Sequence, residues 1–451
     1  MSSNYLLKNA LSVNEGAICN IDLLLVDGLI ADIAGKLDIG SDYQQQHDIE
    51  IIDVSGKYVL PGMIDDQVHF REPGMEYKAD IASESAAAVT GGVTSYMEMP
   101  NTKPPAVTIE LLEQKYKLAS EKSIANYSFY LGATNDNIGE LQKFDPQNHC
   151  GIKVFLGSST GNLLVDDPAT LEAIFKLPFL IAVHSEDEKT IHANSALYRQ
   201  KFGENIPFDC HPLIRSSEAC FISTLRAVEL AEKNNTRLHI LHLSTAAELA
   251  LLKRTLNVTG KRITSEVCVH HLWFNDSAYK NKGSLVKWNP AIKSEADRHA
   301  LFGAVIDGTI DVVATDHAPH TYDEKQQTYF NAPSGGPLVQ HSLQMMLEFY
   351  YKKQISLEKI VTLMCHNPAE CFGIERRGFI RKNYYADLVL VDLCHQTLVS
   401  ADNILYKCKW SPLEGEIFHS EICSTFVNGY LAYDGRNVQD NVKGMRLQFR
   451  V

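Results

Sequence analysis

Apolar and polar positions along the chain fall into three stretches of different texture. From residue 1 to about 58, short apolar runs end at turn signals. Ile21-Asp22-Leu23-Leu24-Leu25-Val26 stops at Asp27-Gly28, and Ile51-Ile52-Asp53-Val54 stops at Ser55-Gly56. Such runs broken by Asp-Gly and Ser-Gly pairs predict strands joined by tight turns. The same texture returns over 374–451, where Ala386 to Asp392 reads as a strand and Thr425 to Tyr433 as a hairpin. Two β-rich ends, 1–58 and 374–451, predict one small β-sandwich domain formed by both termini, an arrangement tolerated when the chain ends lie close in space.

The middle, 59–373, alternates apolar runs with helix-like stretches. The runs are Met63 to Phe70, Val93 to Met99, Tyr127 to Gly132, Ile152 to Leu156, Phe179 to His184, Leu238 to Leu243, Ile263 to Val269 and Asp311 to Ala314. Thr108 to Glu121 and Glu295 to Ile306 are two of the helical stretches between them. Eight strand–helix alternations predict an α/β fold, a (β/α)8 TIM barrel. The competing open, doubly wound sheet usually carries a GxGxxG turn after its first strand, and that turn is absent here.

Composition narrows the class without changing the fold. The 451 residues are 45% hydrophobic and 22% charged, with Asp+Glu 55 against Lys+Arg 42 for a net charge of −13. That is ordinary for a globular chain, and no Lys/Arg run offers the basic face of a nucleic-acid binder. No apolar run is long enough to span a membrane, and Met1 to Val13 lacks the basic-then-apolar order of a signal peptide. Ten cysteines without CxxC pairing predict free thiols in a reducing cytoplasm.

Barrel active sites lie at the C-terminal ends of the strands, and metal-competent residues gather at those ends. Run one ends in Gln67-Val68-His69-Phe70-Arg71-Glu72-Pro73-Gly74, run two in Met99-Pro100-Asn101-Thr102, run five at His184 and run six at His242. Run seven carries Glu266 before His270-His271, and run eight ends at Asp316-His317-Ala318-Pro319-His320. Imidazole and carboxylate are Zn²⁺ ligands by type. A solitary strand-end histidine such as His239 reads instead as a satisfied polar residue. His192, His211 and His299 sit in helical or loop context and receive no role. Lys153 lies inside the apolar run Ile-Lys-Val-Phe-Leu. A buried amine must be paired or neutralised, either by a nearby acid or as a carbamate able to bridge two cations. Asp316 suits a metal ligand, a general base or both, or a plain loop-capping residue. Arg71 suits a carboxylate clamp or a surface pair with Glu72.

His69-Phe70-Arg71-Glu72-Pro73-Gly74, Met99-Pro100-Asn101-Thr102 and Ala314 to His320, in that order, resemble the amidohydrolase superfamily and, within it, the dihydroorotases. The resemblance spans nearly the whole chain. It implies zinc, one or two ions per chain, and reversible cyclisation of N-carbamoyl-L-aspartate to L-dihydroorotate in pyrimidine synthesis. It also implies His69 as ligand of the more buried metal, His184 and His242 as ligands of the second, and a carbamylated Lys153 bridging them. Asp316 becomes metal ligand and proton shuttle, Arg71 and Asn101 the carboxylate clamp, Asn289 and His320 substrate contacts, and Glu266 a supporting acid.

The chain departs from the family at strand one, which usually ends in His-x-His; here the first position is Gln67. An amide oxygen is a weaker Zn²⁺ ligand than imidazole. Three arrangements stay open: two metals with Gln67 a weak ligand, one metal on His184, His242 and Lys153, or an inactive homologue. Beside a dihydroorotase stand two alternatives, a related hydantoinase- or allantoinase-type cyclic amidase and a non-catalytic barrel scaffolding an aspartate carbamoyltransferase. The expected partner is a small-molecule substrate, with no nucleic acid and no membrane. The expected assembly is a homo-oligomer, alone or with that transferase.

Overall fold

The computed structural model of the protein describes residues 4–157 and 163–450, so positions 1–3 and 451 of the two expected β segments lie outside the described residues. The first strands are β1 (Asn4–Asn14), β2 (Ala17–Val26), β3 (Leu29–Ala34), β4 (Ile49–Asp53) and β5 (Tyr58–Pro61). The barrel strands follow as β6 (Met63–Val68), β7 (Val93–Glu98), β8 (Asn126–Phe129), β9 (Leu131–Gly132), β10 (Ile152–Phe155), β11 (Leu180–His184), β12 (Arg237–Ile240), β13 (Ile263–Cys268) and β14 (Val312–Ala314). The chain closes with β15 (Leu388–Asp392), β16 (Thr397–Leu398), β17 (Ile417–Phe418), β18 (Glu421–Val427) and β19 (Tyr430–Tyr433).

The barrel strands are parallel, pairing β6-β7-β8 and β9-β10-β11-β12-β13-β14. The expected third run is split at Tyr130, whose hydroxyl donates to the Asp66 carbonyl at 3.0 Å. The ring closes at the seam between β6 and the end of β14. There Val68 bridges His317, and the His69 N–H donates to the His317 carbonyl at 2.7 Å. Every residue of β6, β7 and β11 is buried. Strands covered on both faces need continuous rather than alternating apolar character, which is why these runs stand out in the sequence. Side-chain caps start the intervening helices: Asp80 for Ile81–Thr90, Thr108 for Ile109–Lys122 and Ser294 for Glu295–Asp307. Among the described residues no helix is long and apolar enough to cross a membrane, and the ten cysteines are free thiols.

Both ends of the chain build one sheet in the order β19-β18-β15-β5-β1-β2-β3, with β4 beside β1. The long β1 forks it: its first half pairs with β4, its second with β5, and a register shift falls between Leu7 and Ala10. Tyr5, Leu7, Leu23 and Ile30 from one arm meet Val59, Leu388, Leu390 and Phe426 from the other in a single apolar cluster. Two tight turns touch at this meeting point. Asp27-Gly28 and Asn428-Gly429 have positive φ at all four positions, the backbone that two-residue hairpins need. A side chain on Gly429 would lie 2.6 Å from the Gly28 Cα, so glycine is required for contact as well as for φ.

Asp387 bolts this sheet to the barrel. Its buried carboxylate accepts from Arg377, from Asn126 Nδ2 on β8 at 3.2 Å and from the Asn428 N–H at 2.7 Å. Removing one partner of a buried ion pair strands the other's charge, at about 3–5 kcal/mol. Asp387→Ala is therefore expected to lose about that much in urea unfolding. A loss under about 1 kcal/mol would show that the joint does not bear on stability.

Candidate active site

Ten of the sequence-selected residues line one cavity of about 430 Å³ at the C-terminal ends of the barrel strands: Gln67, His69, Arg71, Asn101, Lys153, His184, His242, Asn289, Asp316 and His320. The seam between β6 and β14 brings Gln67 and His69 against Asp316. His69 Nε2 is 3.1 Å and Gln67 Nε2 3.2 Å from Asp316 Oδ1. Lys153 enters from β10, His184 ends β11, and His242 lies two residues past β12. Arg71, His242 and Asp316 have φ of 69°, 40° and 46°. Non-glycine residues rarely occupy that region, and when they do it is often at functional sites.

Hydrogen bonds fix which atoms face the cavity. His69 Nδ1 lies 2.8 Å from Asn101 Oδ1 and its Nε2 3.1 Å from Asp316 Oδ1, so the ring is held between two accepting oxygens, with the Asn101 amide N–H groups left as donors. His184 Nε2–H donates to Glu186 Oε2 at 3.0 Å, which leaves Nδ1 facing His242 Nε2 at 2.9 Å. Burial lowers the pKa of all three rings, for His242 with help from His184 and Lys153. The sequence reading missed Glu186 and its partner Arg215. Burial opposes the Glu186 charge, but Arg215 and His184 outweigh it and hold the carboxyl at about 2. Glu186 was legible as the second residue after a strand-end histidine; Arg215, 29 positions away, had no local signal.

Lys153 Nζ is buried without a hydrogen-bond partner among the described residues, so these do not give it the close acid that one reading offered. Burial pushes the amine down to about 7, against the pull of Glu266 and Asp316. Glu266 lies beneath the cavity and accepts from the His242 N–H at 2.9 Å. It meets His239 and Asp66, all fully buried. Burial disfavours the charged His239 ring, yet Asp66 and Glu266 raise its pKa to about 9. His239 is thus a paired core residue, as expected. His211, given no role, is buried and bonded to the Trp288 carbonyl and Tyr329.

Ring nitrogens of His69, His184 and His242, the Asp316 carboxylate and the Lys153 amine line one cavity, and that donor set fits a divalent cation. Gln67 stands differently: its amide nitrogen faces Asp316, while its oxygen, the atom able to ligate, faces Cys268 Sγ at 3.7 Å.

The opposite wall is cationic. Arg71 donates from Nε to the Pro319 carbonyl at 3.0 Å, and its Nη2 lies 3.0 Å from His320 Nε2. Lys78, also missed from sequence, stands behind His320 with Nζ 2.9 Å from Nδ1. Phe155, Glu188 and Arg215 line the cavity too, with the backbone-rich segment Pro333-Ser334-Gly335 and Ala318.

The sequence profile of the amidohydrolase family matches residues 58–431. The chain belongs to the amidohydrolase family. Curated relatives of the chain include dihydroorotases. That of Halobacterium salinarum is 34% identical over 92% of this amidohydrolase and 96% of its own length. That of Carboxydothermus hydrogenoformans is 32% identical over 94% and 96%. Among solved structures, the amidohydrolase superposes on an L-hydantoinase from Arthrobacter aurescens with a TM-score of 0.91, 25% identity and coverage of 99% and 100%. A D-hydantoinase from Thermus sp. gives 0.87, 22% identity and 99% of both chains. This second likeness speaks for the barrel and flanking β unit.

The position of Gln67 yields a prediction about metal content. With its amide oxygen turned away, the protein purified without added zinc should hold nearer one zinc than two per chain. Gln67→His, supplying an imidazole, should raise that content. Elemental analysis of the two proteins side by side checks this, and two zinc ions in the wild type, unchanged in the variant, would contradict it.

Proposed function

We propose that this amidohydrolase is a dihydroorotase, opening and closing a cyclic amide that carries a carboxylate. The observation that carries the proposal is the two-walled cavity, with metal-competent donors on one side and Arg71, Asn101 and His320 on the other. A hydantoin without a carboxylate would leave Arg71 and its neighbours without an anion to bind.

His69, His184, His242, Asp316 and Lys153, the last as a carbamate, are the residues proposed to hold zinc, with Gln67 at most a weak contributor. Bound there, zinc supplies Lewis acidity, polarising the amide carbonyl and acidifying water. Arg71, Asn101, Asn289 and His320 hold and orient the substrate, which turns binding energy into alignment of the reacting atoms. In the hydrolytic direction Asp316 accepts a proton from the attacking water as the new C–O bond forms. It returns that proton to the ring nitrogen as the C–N bond breaks, leaving a carboxyl group and a terminal carbamoyl nitrogen. Cyclisation is the same path reversed. Glu186, pinned by Arg215, keeps the His184 ring turned with Nδ1 inward, as orienting carboxylates do for ligand histidines. A cytoplasmic setting and a homo-oligomer, with or without an aspartate carbamoyltransferase, belong to the same proposal and are supported by the resemblance and the free cysteines.

Two substitutions test these roles. Asp316→Ala should lower kcat by at least the ~10²–10⁴-fold that loss of a positioned acid–base group costs, in a protein that keeps its fold by circular dichroism. Near-wild-type turnover would remove Asp316 from the mechanism. Arg71→Lys keeps the charge but loses the planar fork, so KM for dihydroorotate should rise strongly. An unchanged KM, together with turnover of unsubstituted hydantoins, would favour the other cyclic amidases.

A further inference from the structure

Cys268, His270 and His271 sit together at the end of β13, and the chemistry above uses none of them. Cys268 closes the strand, and the histidines lie in the short helix Val269–Trp273 that follows. All three are buried. One nitrogen from each ring and Cys268 Sγ lie within 4.8 Å of one another. His271 Nε2 is 3.2 Å from the Pro290 carbonyl. A carbonyl only accepts, so Nε2 carries the ring proton and Nδ1 the lone pair. That Nδ1 has no hydrogen-bond partner among the described residues, and neither has either ring nitrogen of His270. The Thr315 backbone lies close enough to favour a ring proton on one side of His270, which leaves a lone pair on the other. Trp288 stacks on the same ring, with centroids 4.5 Å apart and planes at 18°, a contact that takes up no lone pair. Nearly all buried polar atoms have a partner, and those that do not commonly mark an ion or a water.

None of the three lines the substrate cavity. Gln67 stands between, with its amide nitrogen toward Asp316 in the cavity and its oxygen toward Cys268 Sγ at 3.7 Å. A thiol, two imidazoles and an amide oxygen are the donors of a four-coordinate, zinc-type ion. We propose that Cys268, His270 and His271, with the Gln67 amide oxygen as fourth donor, form a separate site for a thiophilic divalent cation behind the cavity. Binding breaks the Cys268 S–H bond, forms the sulfur–metal bond and releases the proton to solvent. Burial, with Glu266 and Asp316, keeps the free thiol protonated, so the site fills on added metal, after the cavity donors. Once a dication is bound, the same carboxylates stabilise it. The site stands whichever cyclic amide the cavity accepts.

Cobalt reads this site without turnover, because thiolate bound to Co²⁺ gives an intense near-ultraviolet charge-transfer band that nitrogen and oxygen ligands do not. The cavity lining holds no sulfur, so the band does not report the cavity. The reduced full-length protein, as purified, is titrated with Co²⁺ alone. The band should appear and saturate near one added ion per chain. Cys268→Ser should abolish it. His270→Phe keeps a ring against Trp288 but loses a ligand, and should weaken the cobalt affinity read from the band by at least the ~10-fold that loss of a mere supporting group costs a metal site. One measurement needs no variant: zinc-edge X-ray absorption of the zinc-saturated wild type should require a sulfur scatterer at ~2.3 Å. A wild type that saturates with metal yet shows neither the band nor the sulfur scatterer would overturn the proposal, and so would a band undiminished in Cys268→Ser.

Discussion

Closing the barrel at the seam between β6 and β14 is the constraint on which the site depends. The Asp65 carboxylate accepts from the Thr315 hydroxyl at 2.6 Å, the Thr315 N–H at 3.3 Å and the Gln67 N–H at 3.2 Å. These three bonds satisfy a group that burial pushes up to about 7, and the two from Thr315 span 250 positions of chain. Once the seam is set, Gln67, His69 and Asp316 have no independent freedom. Their side chains emerge from the two backbones that it joins, and at Asp316 the carbonyl-to-side-chain direction is turned by a left-handed φ.

Local strain and long-range pairing therefore work together. Arg71, His242 and Asp316 each leave a strand end through the left-handed region, at a cost of order 1–3 kcal/mol each. The surrounding bonds hold them there: Arg71 through the Pro319 carbonyl, and His242 through Glu266. The turned backbone aims side chains across the mouth rather than along the strands. Metal-competent groups and the cationic wall of Arg71 and His320 consequently share one small cavity instead of two separate rims.

Much of this was legible in the chain because buried parallel strands advertise themselves. The eight apolar runs fall on the barrel strands to within a few residues, and polar residues at their ends line the cavity. Legibility fails where a residue takes its meaning from a distant partner. Lys78 sits in a polar loop, and only the return of His320, 242 positions later, places a ring against its ammonium. Arg215 is one arginine among many until Glu186 is beside it. Asp66 reads as half of an unremarkable Asp-Asp pair, although it is buried against His239 inside the barrel. Gln67 shows a subtler limit: sequence supplies the amide, but which end faces the site is set by Asp316 and Cys268.

The forked sheet has a consequence for the order in which the molecule is made. β5 pairs with β1 on one side and, over Tyr58 to Pro61, with Leu388 to Val391 of β15 on the other. During synthesis, the N-terminal strands and the whole barrel leave the ribosome before β15 exists. For that interval β5 is an open edge with unpaired backbone groups, the kind of template that invites pairing with another chain. It is also short, only four residues, and ends in Pro61, which lacks an N–H to offer. A brief, proline-terminated edge limits what a nascent neighbour can add, and keeps the place open until the chain's own later strand arrives.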